Sequence, residues 1–433
     1  MDIKDVKAGA KKVSIKGWVH EIRTLGSVVF VILRDSTGML QITVNKEKAG
    51  KLIVEKAERL NRESIIEVSG QIQKNDKAPG KIELIPESLN ILIVSDPELP
   101  INISGKNITT DLNKRLDWRC IDLRKPREQA IFTIQSALIT GISSFLSKEG
   151  FTQVFTPCIM GVASESGSEV FSIFYFDKEA FLRQDPQLHR QLTIAGGFKK
   201  IYDIGPAWRA EQSHTSKHLC EHRVCAVEAA FIKDEHEVMD LEEKVIIAAL
   251  ENVKKNCDAE LKVMGVELDV PRSPFPRFSF EEVKEILKGK GRNISLDGDI
   301  DTEGERMLRD YVKEKHKSDF YFVYKFPFKI KPFYVMKQDK EGKWARSMDL
   351  YFRELELSSG GQREHRYEEI LKNAKGKGMN PGEIEWFAKF FKYGVPPHGG
   401  FSIGVERLTQ SILGVANIRE CTLFPRDPER LMP

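Results

Sequence analysis

The residues best suited to chemistry in this chain lie in positions 201–231, IYDIGPAWRAEQSHTSKHLCEHRVCAVEAAF. Tyr202, Ile204 and Trp208 alternate with other residues, as a strand does with one face in a core. Arg209 and Glu211 follow at the strand's end. The polar loop beyond them carries His214, Lys217, His218, Glu221, His222 and Arg223, and a second strand returns. An Arg fixed at the lip of an antiparallel hairpin holds a phosphate while the loop closes on it. On this stretch alone, a surface hairpin with ordinary charges is an equally good reading. Residues 399–408, GGFSIGVERL, add three glycines before a helix-like run, with Arg407 in its first turn. Glycine lets backbone approach a ligand, and a helix N-terminus favours phosphate, although a lone glycine-rich turn is a weak signal. Residues 150–157, GFTQVFTP, read as a strand entered from a helix and ended by Pro.

In this order and spacing, the three stretches resemble the three signature motifs of class II aminoacyl-tRNA synthetases. AFLRQDPQLHRQL at 180–192, LELSSGGQREHRYEEI at 355–370 and NIRECTLFPRDPERLMP at 417–433 narrow the resemblance to archaeal-type aspartyl-tRNA synthetases, and it runs from about Trp18 to the last residue. The resemblance implies ATP-dependent attachment of L-aspartate to tRNA through an aspartyl-adenylate. No protein nucleophile is required; positioning and charge neutralisation carry the rate. It assigns Arg209 to the α-phosphate and the reacting carboxylate, and Arg407, Lys217 and His218 to the outer phosphates. Glu211 would meet adenine, with Leu219 and Gly404 also in the ATP site. Glu165 would face the substrate ammonium. Gln187, Arg190 and Ser359 would line the amino-acid pocket, where Arg363 would grip the side-chain carboxylate. Mg²⁺, a hard ion that takes few carboxylates and several waters, would sit at Glu356 and Ser359, with Asp349 close by. Without the resemblance, Asp349 and Glu356 read as exposed charges and Arg363 as a solvated loop residue.

Several positions depart from the family pattern. QDPQLHRQ stands for QSPQLYKQ, so Asp185, His189 and Arg190 replace Ser, Tyr and Lys. Ala226 occupies a position where a carboxylate, a natural ammonium partner, is usual. SESG at 164–167 replaces TEGG, Lys217 and His222 replace an Arg and an adenine-stacking aromatic, and Ser402 replaces a glycine. Arg for Lys keeps charge but changes shape. Two alternatives stay open: an asparaginyl-type or altered-specificity paralogue, and a catalytically weakened tRNA-binding homologue. Arg190 and Arg363 favour an acidic side chain, since two cations facing a neutral amide would go uncompensated.

The elements that must position these residues form an α+β chain of two domains. Residues 1–98 predict an OB-fold β-barrel that binds the anticodon: short alternating strands separated by turns at Gly26, 35–38 and 75–80, with a helix-like interruption at 47–60. By resemblance Phe30 stacks on an anticodon base and Gln41 hydrogen-bonds it; by spacing alone Phe30 is core and Gln41 a solvated strand residue. His20 and Pro79 resemble the non-discriminating type, which charges both tRNA(Asp) and tRNA(Asn). Residues 99–126 read as a hinge, its LNKRLDWRCIDLRKP run basic enough to meet a backbone phosphate or to serve as a plain charged connector. Residues 127–433 read as the catalytic domain, an antiparallel sheet flanked by helices, with a small helical insertion at about 258–318. The aromatic run 319–333 reads as a core strand. In the family the first motif builds a homodimer interface, so a symmetric dimer is expected.

Composition is that of an ordinary soluble globular protein: 41% hydrophobic, 30% charged, net charge +3. This neither demands nor excludes a nucleic-acid partner. The six cysteines form no CxxC pair, which points away from zinc and disulfides and towards the cytoplasm. The N-terminus lacks a signal-peptide core, and no membrane-spanning run is expected.

Overall fold

Alternating buried and outward side chains between residues 13 and 93 curl five strands into a closed barrel. They are β1 (Val13–Leu25), β2 (Val28–Arg34), β3 (Met39–Asn45), β4 (Ile65–Lys74) and β5 (Ile82–Ile93), in the order β1-β2-β3-β5-β4. This is the OB-type barrel that the alternation predicts. β1 is long enough to pair with β4 along its first half and β2 along its second, with an irregularity between Val19 and Glu21. Ile15, Val31, Leu33, Ile42, Val44, Val68 and Leu84 fill the interior. The helix Lys51–Glu58 is shorter than the stretch expected. The computed structural model of the chain describes residues 1–104, 110–162, 170–212, 215–295 and 298–432. It divides into two compact units, Met1–Pro126 and Arg127–Pro433.

The segment read as a hinge contains two short helices, Leu112–Asp117 and Arg119–Asp122. Three of its basic residues are turned inward. Asp122 is fully buried, and Arg115, Arg119 and Lys125 converge on it at 3.0, 2.7 and 2.8 Å. Burial works to raise the Asp122 pKa, but hydrogen bonds from Arg115 and Lys125 hold it below the usual carboxylate range. Charges clustered in sequence have become a buried ionic knot.

In the second unit, chain order runs β6 (Thr152–Gln153), β7 (Ile159–Met160), β8 (Ser172–Tyr175), β9 (Lys178–Leu182), β10 (Lys200–Trp208), β11 (Glu221–Ala230), β12 (Arg277–Ser279), β13 (Phe320–Tyr324), β14 (Ser347–Phe352), β15 (Leu355–Arg363) and β16 (His398–Gly404). Eight of these make one sheet, β12-β13-β14-β15-β16-β11-β10-β6, and β7-β9-β8 form a small second one. The large sheet is antiparallel except at its two edges, where β6 and β12 pair in parallel. Helices Pro126–Lys148 and Glu235–Asn256 bury their apolar stripes against one face, packing Ile134, Leu138, Val245 and Leu250 with Val227, Phe401 and Met348. The first helix corrects an expectation: by length and composition it is apolar enough to cross a membrane. Its Ile131, Ile134, Leu138 and Ile142 belong instead to this core.

The stretch 258–318 is not purely helical. Alongside the helices Asp258–Met264, Phe280–Gly289 and Thr302–His316 it supplies β12, an edge of the main sheet. The aromatic run beyond it is core, with Tyr321, Phe322 and Phe326 fully buried. β11 and β16 approach so closely that a Cβ on Gly400 would lie 1.9 Å from the Val227 carbonyl, which accounts for glycine there.

Candidate active site

Opposite the helices, the sheet floors a cavity of about 510 Å³. Arg209 and Glu211 stand just past the end of β10, Lys217, His218 and Leu219 in the hairpin loop, and Glu356 and Ser359 on β15. Gly404 caps the helix Val405–Leu413, whose first turn carries Arg407. All of these line the same cavity, as do Gln187, Arg190 and Arg363. The hairpin holds full register from Lys200↔Ala229 to Trp208↔Glu221. Its loop is moored from outside: Ser216 O accepts from Ile418 N–H and from Gln410 Nε2, each at 3.0 Å, and Cys220 N–H donates to Arg426 O at 3.0 Å. The C-terminal tail therefore shapes the site through backbone. The Arg426 guanidinium itself turns to the Phe424 and Pro425 carbonyls.

At the Arg209 end the cations have loose partners. Arg407 lies 4.0 Å from the Glu356 carboxylate and donates to the Glu356 carbonyl at 3.2 Å. Lys217 reaches Glu305 of the insertion at 3.9 Å. His218 is set by Thr215 Oγ1, 2.6 Å from its Nδ1, and burial together with Arg407 lowers its pKa. His222 is pushed down to about 4 by burial and by Arg209 and Arg407, so its ring is neutral at physiological pH.

At the other end the cations are locked. Arg190 pairs with Asp185 at 3.0 Å and Glu228 at 3.5 Å, and donates to Gln187 Oε1 at 2.5 Å. Arg363 donates to Glu228 at 3.1 Å and to the Gly400 carbonyl at 3.0 Å, over the Tyr334 ring. Gln187 Nε2 donates to Glu228 at 3.2 Å, and Ser402 Oγ donates to Asp185 at 2.8 Å. Burial works to raise both acids, yet Arg363 and Arg190 hold Glu228 low, and Arg190, Ser402 and Arg363 hold Asp185 low. This overturns the argument that Arg190 and Arg363 stand uncompensated, because two carboxylates from the protein balance them.

The proposed metal set divides. Glu356 and Ser359 line the cavity. Asp349, opposite Ser359 on the β14–β15 ladder, is buried, and Lys331 Nζ sits 2.6 Å from its carboxylate. Burial raises Asp349 to about 6 despite Lys331. It does not itself line the cavity, but it lies close to the two residues that do: Ser359 hydrogen-bonds it and the Glu356 charge raises it further. One part-exposed carboxylate and one hydroxyl are the sparse, hard oxygen set that Mg²⁺ accepts while keeping several waters, so the residues present fit that ion. Glu165 and His214 lie outside the described residues. Lys331, Tyr334 and Asp299 also line the cavity. Lys331 had no readable signal inside an aromatic run that reads as core strand.

In the barrel, Phe30 and Gln41 are half-buried on the outer face, Phe30 opposite Thr43 on the β2–β3 ladder. The Gln41 amide donates to Glu83 at 3.0 Å, and Glu83 also accepts from Thr43 and from Asn75 of the following loop at 2.5 and 2.8 Å. His20 belongs to a different cluster. Arg34 donates to His20 Nδ1 at 2.8 Å and to Glu63 at 2.9 Å. Burial and Arg34 lower the His20 pKa. Pro79 opens an exposed turn, Pro79–Lys81.

Residues 111–428 match the family described as tRNA synthetases class II (D, K and N), and residues 13–92 match the OB-fold nucleic acid binding domain. The chain is 44% identical to an aspartate–tRNA(Asp) ligase of Pyrococcus furiosus, over 98% of this chain and 96% of that protein. It is 41% identical to an aspartate–tRNA(Asp/Asn) ligase of Archaeoglobus fulgidus, over 100% and 99%. Among solved structures, the asparaginyl-tRNA synthetase of Pyrococcus horikoshii with asparaginyl-adenylate superposes with a TM-score of 0.93 at 32% identity, covering 100% of this chain and 99% of that one.

Proposed function

This chain belongs to the class II aspartyl-tRNA synthetase family, and from that premise we propose how its residues perform the ligation of L-aspartate to tRNA. The reading is carried by one observation: Arg209 and Arg407, from distant parts of the chain, line the same cavity as Arg190 and Arg363. ATP lies with its α-phosphate against Arg209 and its outer phosphates towards Arg407, Lys217 and His218. Glu211, Leu219 and Gly404 bound the nucleotide, and neutral His222 offers it a flat face. The aspartate carboxylate attacks the α-phosphorus, and pyrophosphate leaves towards the cationic end. The terminal ribose hydroxyl of tRNA then attacks the acyl carbon and releases AMP. Arg209 holds the two reacting groups together and offsets the charge that develops between them. Glu356 and Ser359 would hold Mg²⁺, which when bound neutralises phosphate charge. At the other end Arg363, set by Glu228, meets the substrate's side-chain carboxylate.

The barrel binds the anticodon through Phe30 and Gln41. With its NH₂ group turned to Glu83, Gln41 offers its carbonyl outward. We infer relaxed choice between tRNA(Asp) and tRNA(Asn). His20 and Pro79 support this by their likeness to the non-discriminating pattern, with the His20 ring fixed by a hydrogen bond from Arg34. A homodimer is supported by apolar side chains left open on the small sheet and beside it, with Phe155, Phe174 and Phe176 at 82%, 97% and 88% exposure. All six cysteines are free thiols, which supports action in the cytoplasm. Charging of purified tRNA(Asp) and tRNA(Asn) with labelled aspartate tests the reading: label is expected on both, and label on tRNA(Asp) alone rejects relaxed choice. The balanced charge at Arg190 and Arg363 keeps one rival in play, an asparaginyl-type enzyme. ATP–pyrophosphate exchange with asparagine and none with aspartate would establish it.

A further inference from the structure

An amino-acid substrate brings an α-ammonium group as well as carboxylates, and a buried ammonium needs an anionic acceptor. Among the described residues, the acids lining the cavity are Asp185, Glu211, Asp299, Glu356 and Glu406. Glu406 is held by the Arg223 backbone N–H at 2.9 Å, and Glu356 pairs with Arg407 at the phosphate end. Glu228, at the other end, does not line the cavity: its side chain is fully buried and shared by Arg190 and Arg363. Asp185 is different. It stands beside Arg190, lines the cavity, and keeps 16% of its side chain exposed. Ser402 and Arg190 fix its carboxylate, which has acceptor capacity for more than these two partners.

The sheet supplies its partner. Side chains alternate along β11, so His222, Val224, Ala226 and Glu228 share one face, and the first two line the cavity. Ala226 faces Ser402 across the β11–β16 ladder. Ala226 is itself fully buried and carries no polar group, and Ser402 beside it donates its hydroxyl to Asp185 at 2.8 Å. We propose that Asp185 binds the α-ammonium group of the substrate amino acid, delivered from the segment before helix Gln187–Ala195 and oriented by Ser402 and Arg190. The assignment rests on the aspartate-ligase reading.

The test compares aspartate with succinate, which has both carboxylates and no ammonium, in ATP–pyrophosphate exchange by the full chain. In Asp185→Asn, the KM for aspartate is expected to rise about 10- to 100-fold, the loss of one charge-assisted hydrogen bond. The KM for ATP and the inhibition constant of succinate should stay within about twofold, an order-of-magnitude expectation for interactions left untouched. If aspartate and succinate weaken together, Asp185 merely props Arg190 and the assignment is overturned; an unchanged aspartate KM overturns it as well. Should Asp185→Asn not fold, Asp185→Ser with Ala226→Asp returns the anion from the strand. Preference for aspartate over succinate lost in Asp185→Ser alone and recovered in the double variant supports the assignment; preference kept by Asp185→Ser alone, or not recovered in the double variant, overturns it. Wild-type protein without aspartate-dependent exchange would instead overturn the ligase reading itself.

Discussion

The two ends of the cavity use arginine in opposite ways. Arg407 and Lys217 keep 26% and 34% of their side chains exposed, and their acidic partners stand 4.0 and 3.9 Å away. Arg190 and Arg363 keep 1% and 5%, and Glu228 and Asp185 hold them. Under the proposed function, loosely paired, part-exposed cations would attract a polyanion and let pyrophosphate leave. Sealed cations with their own counter-ions cannot select a diacid by net charge. Under the proposed function they would select by donor direction: N–H groups aimed at one spot donate to a carboxylate oxygen there and repel the N–H of an amide. The difference teaches that one residue type supplies attraction at one end and shape at the other, with burial deciding which.

The contrast can be broken most forcefully at Glu228. Glu228→Gln leaves two buried guanidiniums short of an anion and should lower the unfolding free energy by about 3–5 kcal/mol in denaturant titration. An Arg407→Ala change, by the same assay, should move it by less than about 1 kcal/mol. Arg209→Ala should leave the fold intact and reduce kcat for aspartate-dependent exchange by about 10²–10³-fold; retention of rate would remove Arg209 from the reaction. A smaller effect separates the titrations at the open end. Burial raises Glu406 to about 7, so the stability it contributes is complete below its ordinary pKa and is lost as pH rises through about 7. Depressed His222 acts the other way: its contribution is present above its ordinary value and is lost as pH falls towards about 4. Asp349, raised to about 6, and Glu242, raised to about 8, act in the same direction as Glu406, so Glu406→Gln should make the decline in melting temperature as pH rises to 7 shallower without removing it, and an unaltered pH profile would contradict the assignment. The smallest expected effect is ionic. Raising salt from about 0.05 to 0.2 M should increase the KM for ATP several-fold and leave that for aspartate nearly unchanged, because screening acts on exposed charges more than on buried ones.

Much of the architecture was legible in the chain. Period-two alternation from Val13 onward predicted the barrel, and residues 150–157 read as a strand entered from a helix, which is Pro126–Lys148. Arg209 and Arg407 stood out by residue type and by their places at a strand end and a helix start. Less legible were the partners. The basic run at 112–126 read equally as a phosphate contact or a plain charged connector, and nothing in it showed that Asp122 gathers Arg115, Arg119 and Lys125 inward. Asp349 read as close to Glu356 and Ser359, and its ladder partner is Ser359; its ion pair with Lys331, from a stretch whose pattern said only core, was not legible.

The sequence by itself determined the elements and the inventory of charge, because local periodicity and side-chain chemistry act along the chain. It could not determine pairing. Asp185 and Ser402 are 217 positions apart and Glu228 and Arg363 are 135 apart, and each looks like an isolated departure or an ordinary charge until the sheet aligns β11, β15 and β16. Only tertiary structure decided which cations stay open and which are sealed, because that depends on burial and on distances of a few ångströms between segments with no local relation.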